Sequence, residues 1–476
     1  MKFAVNIFLI SCLLLLVSAC GNSDSPESTE NSSTLPPLQV TINDFKSLQN
    51  INTEKAYSHE ANATVLSANI KLGLKHLSST TDSDTVISPI LLSRSLATLL
   101  VGAKGDTYQQ VLSDLEIDME STILNFQPDE LMNALVDLSN KQHMPIKTTT
   151  WGKHDFQFAT EYLVKMGYFN SELNSINISS EPDDKNSITN WLLSQNFQSN
   201  INQLIESINT VNLVTAVAHS HTFRLSASWD NNEYIVNSVQ ANFGYLNYDG
   251  YENQAVVPMK EISGDIPYYS NDRYEAFELS LFNSPIKLMI IMPFYGQLGS
   301  TIHQFSEVEF DHIDKNFFTN ARTVYLPVFS IDRYGSNHYK ENSTDDFSGI
   351  NIDGLLYLKQ LGHYTYFSVN EEGLQGESIE YSLINSPQLN SDLIVLYPSP
   401  DIYTDIYTEG GMSGSISNFG WDPQKECYPP EQARPFIFIL RDTTDNSILS
   451  IGKISDDTIG GERVEPTLVS IYDDCP

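Results

Sequence analysis

Basic residues and cysteines are both scarce in this chain. Its 476 residues include 26 lysines and arginines against 60 aspartates and glutamates, which gives a formal net charge of −34. Such a charge repels nucleic acids and anionic lipid headgroups, which argues against either as a partner of the folded protein. The four cysteines form no CxxC or cysteine–histidine spacing of the kind that binds zinc. The sequence therefore predicts no metal site and no cofactor.

An apolar run long enough to cross a membrane comfortably is also missing. The short apolar run 7–19 follows Lys2 and is typical of an export signal, so we expect residues 1–19 to be a signal peptide. It ends in LVSAC, which resembles a bacterial lipobox, where the cysteine, here Cys20, is lipidated and becomes the first residue of the mature chain. The alternative is an ordinary signal peptide with an incidental cysteine. We expect an exported bacterial lipoprotein, anchored by lipid alone to the periplasmic or outer face of the outer membrane.

The segment after the signal, residues 20–44, is expected to be a disordered tether. Most of it is rich in serine, glutamate and proline and lacks the apolar residues that folding requires. Cys12 leaves with the signal and Cys20 carries lipid, so Cys427 and Cys475 remain. In an oxidising compartment we expect these two to form a disulfide, which would stabilise the fold by about 4 kcal/mol. The apolar content of 41% is ample for a large buried core.

The chain is organised around one stretch, HYTYFSVNEEGLQGESIEYSLIN at 363–385. It begins with the alternation of aromatic and β-branched residues that is typical of a strand. The glutamates and glycine at 371–373 then interrupt the strand and predict a hinge. Beyond the hinge the alternation resumes, but the face from Leu374 to Ile384 is mostly small or polar. That face suits a strand that enters a sheet after the rest of the fold has formed.

Six fragments, in the same order, resemble segments of the serpin family. The clearest is VISPILLSRSLATLLVGAKGDT at 86–107, a strand and a buried helix similar to the family pattern SPxSxxxxLxxxxxGAxGxT, although Leu91 replaces its second serine. The carboxy-terminal hairpin, RPFIFILRD and SILSIGKI, is similar to the family signature. The others are a strand and helix at 151–170, helices near 188–192 and 201–205, a strand at 211–229, and strands at 256–260, 274–281, 286–293 and 324–331. Apolar spacing independently predicts a helix over 61–77.

The resemblance implies the α+β serpin fold, with three β-sheets, about eight or nine helices and an exposed reactive-centre loop. It implies one domain over 45–456, with a loop insertion at about 389–431 and an extension at 457–476. The reactive-loop hinge that it implies comprises Glu371, Glu372, Gly373, Leu374, Gln375, Gly376, Glu377 and Ser378. The scissile-bond region comprises Leu383, Ser386, Pro387, Gln388 and Leu389, and the family register places the bond at Pro387-Gln388. The implied residues of the shutter and the top of the sheet are Ser88, His363 and Trp229.

Members of the family are not enzymes but suicide inhibitors of serine or cysteine endopeptidases. They offer the loop as a substrate and trap the acyl-enzyme while the cleaved loop inserts into the large sheet. We expect the same of this chain, as a monomer whose partner is a protease. Arginine and lysine are absent from 371–424, so a trypsin-like target is not expected.

Two departures favour an alternative, a non-inhibitory serpin that acts as a substrate, a binding protein or a structural protein. Leu374 stands where inhibitory members usually have threonine or serine, and its bulk would slow insertion. Glu380 lies on the face that insertion buries, where an unpaired carboxylate is costly.

An enzyme is the third hypothesis. The sequence GMSGS at 411–415 faintly resembles the nucleophile of chymotrypsin-like proteases, with His219 or His221 as the base. We interpret it instead as a loop tip, because a catalytic triad needs a matching fold around it. The two histidines share one face of a predicted strand, so we interpret them as core or sheet-surface residues.

Overall fold

Ten helices and seventeen strands make up the described part of the computed structural model. It describes residues 39–46, 59–79, 84–118, 127–141, 143–144, 146–176, 186–197, 199, 201–208, 215–246, 252–294, 297–336, 345–351, 356–370, 372–386, 433–455 and 462–463. The helices are α1 Ile42–Lys46, α2 His59–Ser79, α3 Pro89–Gly102, α4 Gly105–Asp114, α5 Pro128–Ser139, α6 Thr160–Tyr168, α7 Asn186–Ser194, α8 Asn202–Ile208, α9 Leu298–Gln304 and α10 Glu307–Asn316. The strands are β1 Gln39–Val40, β2 Thr85–Ile87, β3 Lys147–Lys153, β4 Phe158–Ala159, β5 Glu172–Ile176, β6 Thr215–Ser228, β7 Tyr234–Leu246, β8 Glu252–Ser270, β9 Tyr274–Ser280, β10 Ile286–Pro293, β11 Phe318–Pro327, β12 Phe329–Ser336, β13 Tyr357–Val369, β14 Gly373–Asn385, β15 Phe436–Asp442, β16 Ser447–Ile454 and β17 Glu462–Arg463.

The described residues form ten helices, more than the eight or nine expected, and several of the ten are short. Helices α1 and α9 have 5 and 7 residues, and so few turns carry no clear apolar periodicity. The predicted helix at 61–77 is confirmed as α2, and the predicted strand and buried helix near the Ser-Pro sequence are confirmed as β2 and α3. None of the helices in the described ranges combines the length and apolarity that a membrane span requires.

A six-stranded sheet lies at the centre of the fold, in the order β12-β13-β14-β6-β3-β5. Its neighbours are antiparallel except for β3 and β5, which are parallel. The main apolar core packs on one face of this sheet. A second apolar cluster, which includes residues of α7 and α8, packs on the other face. The central strands are therefore buried on both faces.

The remaining strands form two further sheets. A nine-stranded sheet follows the path β11-β8-β9-β10-β15-β16-β2, with β7 and β17 also paired to β8, and β1 pairs with β4 in a sheet of two strands. The predicted carboxy-terminal hairpin is confirmed as β15 and β16. Three sheets in a mixed α+β fold were expected, and this class is confirmed.

Helix α3 lies in the core, and every one of its residues is buried. Pro89 occupies its first turn, where the missing N–H costs no hydrogen bond. Gly73 of α2 faces this proline, and a Cβ there would lie 2.8 Å from Pro89 Cγ. The glycine weakens the propensity of α2 for helix but allows the two helices to approach closely. Helix α3 contacts β6 and β14, so it supports one face of the six-stranded sheet.

Candidate functional site

Strand β14, which follows the predicted hinge, is a central strand of the six-stranded sheet. It pairs with β13 from Leu374 to Asn385 and with β6 from Gly373 to Asn385. The resemblance to the serpin family implies an exposed reactive-centre loop here, whereas the structure places these residues inside the sheet. The expectation of an exposed loop is corrected accordingly for residues 373–386.

The length of the chain allows this arrangement without a cut. Residues 387–432 separate β14 from the next described segment, and an extended chain of that length reaches about 150 Å. The 13 residues of β14 cross the sheet over about 43 Å. The connection is therefore long enough to return to β15 while β14 remains between its two neighbours.

The hinge is a tight turn between β13 and β14. Asn370 Oδ1 accepts hydrogen bonds from the backbone N–H of Glu372, at 2.9 Å, and of Gly373, at 3.2 Å. Gly373 has φ +155°, and a Cβ there would overlap the carbonyl oxygen of Ala227 on β6. This hinge position therefore requires glycine. Glu371, the first predicted hinge residue, lies outside the described residues.

The two faces of β14 meet different parts of the core. The face toward α3 carries Leu374, Gly376, Ser378, Glu380, Ser382 and Ile384. Leu374 is 1% exposed and belongs to the main core, so the inserted state accommodates the bulk of this side chain. On the other face Ile379, Tyr381 and Leu383 join the second cluster, and Gln375 is half-buried. The sequence predicts two obstacles to insertion, the bulk of Leu374 and the carboxylate of Glu380. The packing accommodates Leu374, so only the Glu380 carboxylate remains as an obstacle.

Glu377 is buried with partners on the face that carries the second cluster. Its Oε1 lies 3.4 Å from Arg224 Nε on β6. Its Oε2 accepts hydrogen bonds from the backbone N–H of Ser199, at 3.0 Å, and from its hydroxyl, at 2.6 Å. This hinge residue therefore has both a cation and two donors when the strand is inserted.

Glu380 is buried on the opposite face and has no such partners. Its exposure is 0%, and neither carboxyl oxygen has a hydrogen-bond partner among the described residues. Its register partners are His363 on β13 and His221 on β6. Burial raises the pKa of Glu380 well above its ordinary value, because a dry environment disfavours the charged form.

His219 and His221 are fully buried and share one face of β6, as the sequence pattern indicates. His219 Nδ1 hydrogen-bonds with Ser382 Oγ of β14 at 2.8 Å, and its Nε2 hydrogen-bonds with Tyr162 Oη at 2.6 Å. Burial lowers the pKa of His219 to about 3. Burial also lowers the pKa of His221 well below its ordinary value, and the charge of Arg94 adds to this effect. Both imidazoles are therefore neutral at neutral pH.

Arg94 is the charged residue of this cluster that the sequence reasoning missed. It is 1% exposed in the middle of α3, and burial lowers its pKa to about 9. Its Nε donates to Thr148 Oγ1 at 2.6 Å, and Thr148 in turn contacts His221 Nδ1 at 3.2 Å. Its other nitrogens donate to Ser139, Asn140 and the carbonyl oxygen of Phe169. The available signal was a single charged residue in a helix whose other polar residues are Ser93, Ser95 and Thr98.

The two histidines considered as a catalytic base are buried, and the described residues group no metal ligands. His219 and His221 have no exposed surface, so neither can serve as a base for a nucleophile in solvent. The sequence GMSGS at 411–415 lies outside the described residues. Within the described ranges, no group of three or more histidine, cysteine, aspartate or glutamate residues is arranged to hold a metal ion.

Ser88 and Trp229 contact different partners outside β14. Ser88 donates its hydroxyl hydrogen to the Leu449 carbonyl oxygen at 2.7 Å. Trp229 is 2% exposed at the end of β6, where it pairs with Leu281. Leu383 and Ser386 are buried by the insertion and are not accessible to a protease in this state. Pro387, Gln388, Leu389, Cys20, Cys427 and Cys475 lie outside the described residues.

Comparison with known proteins points to one family. The family model described as serpin (serine protease inhibitor) matches residues 67–457. An uncharacterised serpin-like protein of Thermococcus kodakarensis is 20% identical over 389 residues, which cover 78% of this chain and 87% of that protein. The leukocyte elastase inhibitor of Xenopus tropicalis is 25% identical over 310 residues, which cover 60% of this chain and 80% of that protein.

Solved structures share the fold. Cleaved Serpin 42Da superposes with a TM-score of 0.63 at 14% identity, over 83% of this chain and 98% of that one. Tengpin, a thermophilic serpin in the latent state, superposes with a TM-score of 0.58 at 18% identity, over 85% of this chain and 99% of that one.

Proposed function

The chain belongs to the serpin family, and from this premise we propose that it is a suicide inhibitor of a serine or cysteine endopeptidase. Serpins are generally protease inhibitors and not enzymes. In the proposed mechanism, a protease attacks the loop that follows Gly373 while this loop is exposed. The acyl-enzyme is then carried along as the strand enters the six-stranded sheet.

The observation that carries this proposal is the complete pairing of β14 inside the sheet. Strand β6 pairs with it from Gly373 to Asn385, and β13 pairs with it from Leu374 to Asn385. Leu374 fits into the main core, and Gly373 closes the hinge where no other residue fits. A sheet that accepts this strand has the relaxed end state that trapping requires, and the stored free energy is the difference between the exposed and inserted states.

We propose a target of elastase, chymotrypsin, subtilisin or papain type. The segment 371–424 contains no arginine or lysine on which a trypsin-like protease would act. Leu383, Ser386 and Leu389 are candidates for the cleaved position beside Pro387. The similarity to a leukocyte elastase inhibitor supports an elastase-like partner.

The test is incubation with a panel of these proteases, followed by denaturing electrophoresis and by mass spectrometry of the released carboxy-terminal fragment. An inhibitor gives a complex that survives denaturant, and the fragment mass gives the cleaved bond. A loop that is cleaved by every protease, with no complex and no rise in melting temperature, would contradict the proposal.

The second candidate function is that of a non-inhibitory serpin, favoured by Glu380. Insertion buries this carboxyl group without a partner, which costs several kcal/mol if it remains charged. Slow insertion lets the protease complete hydrolysis and leave, so the chain would be a substrate. Full cleavage without a complex is the result that would support this candidate.

We further propose that Cys20 carries a lipid that anchors the exported chain to the outer membrane. The motif LVSAC supports this proposal. Metabolic labelling with palmitate should mark the wild-type chain but not Cys20→Ala. Equal labelling of both would refute the assignment.

A further inference from the structure

The two glutamates that β14 carries into the sheet differ in their surroundings. Glu377 meets Arg224 and two donors of Ser199, so an ionised carboxylate is satisfied there. Glu380 is equally inaccessible, yet both of its oxygens lack a hydrogen-bond partner among the described residues. One strand therefore carries one compensated and one uncompensated carboxyl group.

The titratable residues opposite Glu380 lie on the two neighbouring strands, and further titratable or charged residues lie on β6 or on helices packed against the sheet. The first are His363 on β13 and His221 on β6, and the others are His219 on β6, Arg94 on α3 and Tyr162 on α6. His363 and His221 are directly opposite Glu380 in the register, and such residues share a face with Cβ atoms about 5 Å apart. Arg94 is linked to His221 through Thr148. Tyr162 is linked to His219.

We propose that insertion of β14 takes up one proton from solvent at the row formed by Glu380, His221 and His363, so that acidic conditions drive the strand into the sheet. This inference rests on the proposed function, because it requires a state in which the strand is exposed. In that state Glu380 is hydrated and ionised at neutral pH. In the inserted state Glu380 is fully buried, and the added proton cancels the charge of its carboxylate, either on the carboxyl group itself or on a neighbouring imidazole.

The direction of the effect follows from the two environments. An exposed glutamate has a pKa of about 4.3, and burial raises the pKa of Glu380 well above that range. A carboxyl with a raised pKa favours the inserted state fully below about pH 4. Above that pH, the equilibrium constant for insertion falls about tenfold for each unit until the raised pKa is passed. Burial lowers the pKa of His221 and keeps this imidazole neutral, so it supplies no counter-charge for an ionised Glu380.

The first test is equilibrium unfolding of the full-length inserted protein in urea between pH 5 and pH 8. Wild type is compared with Glu380→Gln, which keeps the shape without the charge, and with Glu380→Ser, which matches the neighbouring Ser378 and Ser382. At pH 8 the wild-type unfolding constant should exceed that of both variants. The ratio of the wild-type unfolding constant to that of either variant should fall about tenfold for each pH unit toward pH 5.

Glu377→Gln is the matched control on the same strand. This variant should be less stable than wild type, because Arg224 and Ser199 already satisfy the Glu377 carboxylate. The ratio of its unfolding constant to that of wild type should not change tenfold for each pH unit. A wild-type to Glu380→Gln ratio that is constant with pH would overturn the proposal. A Glu380→Gln variant less stable than wild type at pH 8 would also overturn it. That result would mean that the positive charge of Arg94, which Thr148 connects to His221, stabilises the ionised form of Glu380.

The second test separates this inference from the proposed function. With a protease that cleaves the loop, the fraction of chains that form a denaturant-stable complex should rise as the pH falls from 8 to 5.5. In Glu380→Gln this fraction should be high at both pH values. If the unfolding ratio has the predicted slope but no complex forms at any pH, the proton uptake stands and the inhibitory function fails. If complexes form with a flat pH profile in wild type, the inference fails and the inhibitory function stands.

Discussion

Replacement of Gly373 by alanine should block closure of the hinge, and the same replacement at Gly376 should not. A Cβ at Gly373 would overlap the Ala227 carbonyl oxygen and lie 2.7 Å from Ser228 Cα. Both contacts are with backbone, so no side chain can rotate away. At Gly376 the nearest atoms are Phe367 Cδ2 at 3.8 Å and other side-chain carbons near 3.9 and 4.0 Å, which is ordinary contact. The two positions lie three residues apart on one strand and differ in the space available and in backbone φ.

The two substitutions should differ by several kcal/mol in the inserted state. Overpacking costs about 1–3 kcal/mol, and the φ of Gly373 adds about 1–3 kcal/mol for any other residue. We therefore expect Gly373→Ala to lose about 3 kcal/mol of stability, close to a hundredfold in the unfolding constant. Gly376→Ala should be neutral or more stable by about 1 kcal/mol, because it restricts the unfolded chain and buries a methyl group.

Urea unfolding of the full chain measures the first effect, and denaturant-stable complex formation measures its functional consequence. Gly373→Ala should be cleaved without forming a complex, and Gly376→Ala should form complexes as wild type does. Equal stability and equal trapping in the two variants would refute the placement of β14 between β13 and β6.

Three further predictions concern the core around the strand. Leu374→Thr, which restores the usual residue of inhibitory members, should destabilise the inserted state by about 2 kcal/mol in urea, because a buried leucine loses apolar contacts; unchanged stability would mean that this position lies outside the core. Arg94→Met should cost about 3 kcal/mol or more in the same assay, because it leaves several buried acceptors unpaired, and a neutral outcome would contradict the bonding described for this side chain. Acidification below about pH 6.5 should destabilise the protein, because His219 and His221 bind protons when unfolded but stay neutral when buried. Their stabilising contribution is complete above pH 6.5 and is lost as the pH falls toward 3; a His219→Asn, His221→Asn double variant with undiminished acid sensitivity would refute this assignment.

Much of the local structure was readable from the sequence. The glutamate–glycine interruption predicted the break between β13 and β14, and strand alternation placed Glu380 on the face that insertion buries. Alternation also placed His219 and His221 on one face, which the structure confirms as a core face. These features follow from periods of two and from glycine chemistry, which act over a few residues.

Only the tertiary structure decided where β14 lies and what meets its side chains. Its pairing depends on whether the edges of β13 and β6 are joined to each other or to this strand, a choice between contacts far apart in sequence. The same holds for the link from Arg94 through Thr148 to His221, which unites a helix and two strands. A strand pattern specifies which residues face the same way, but the free energy of a buried carboxyl group depends on the atoms that surround it. For Glu380 those atoms come from strands and helices that the local pattern could not bring together.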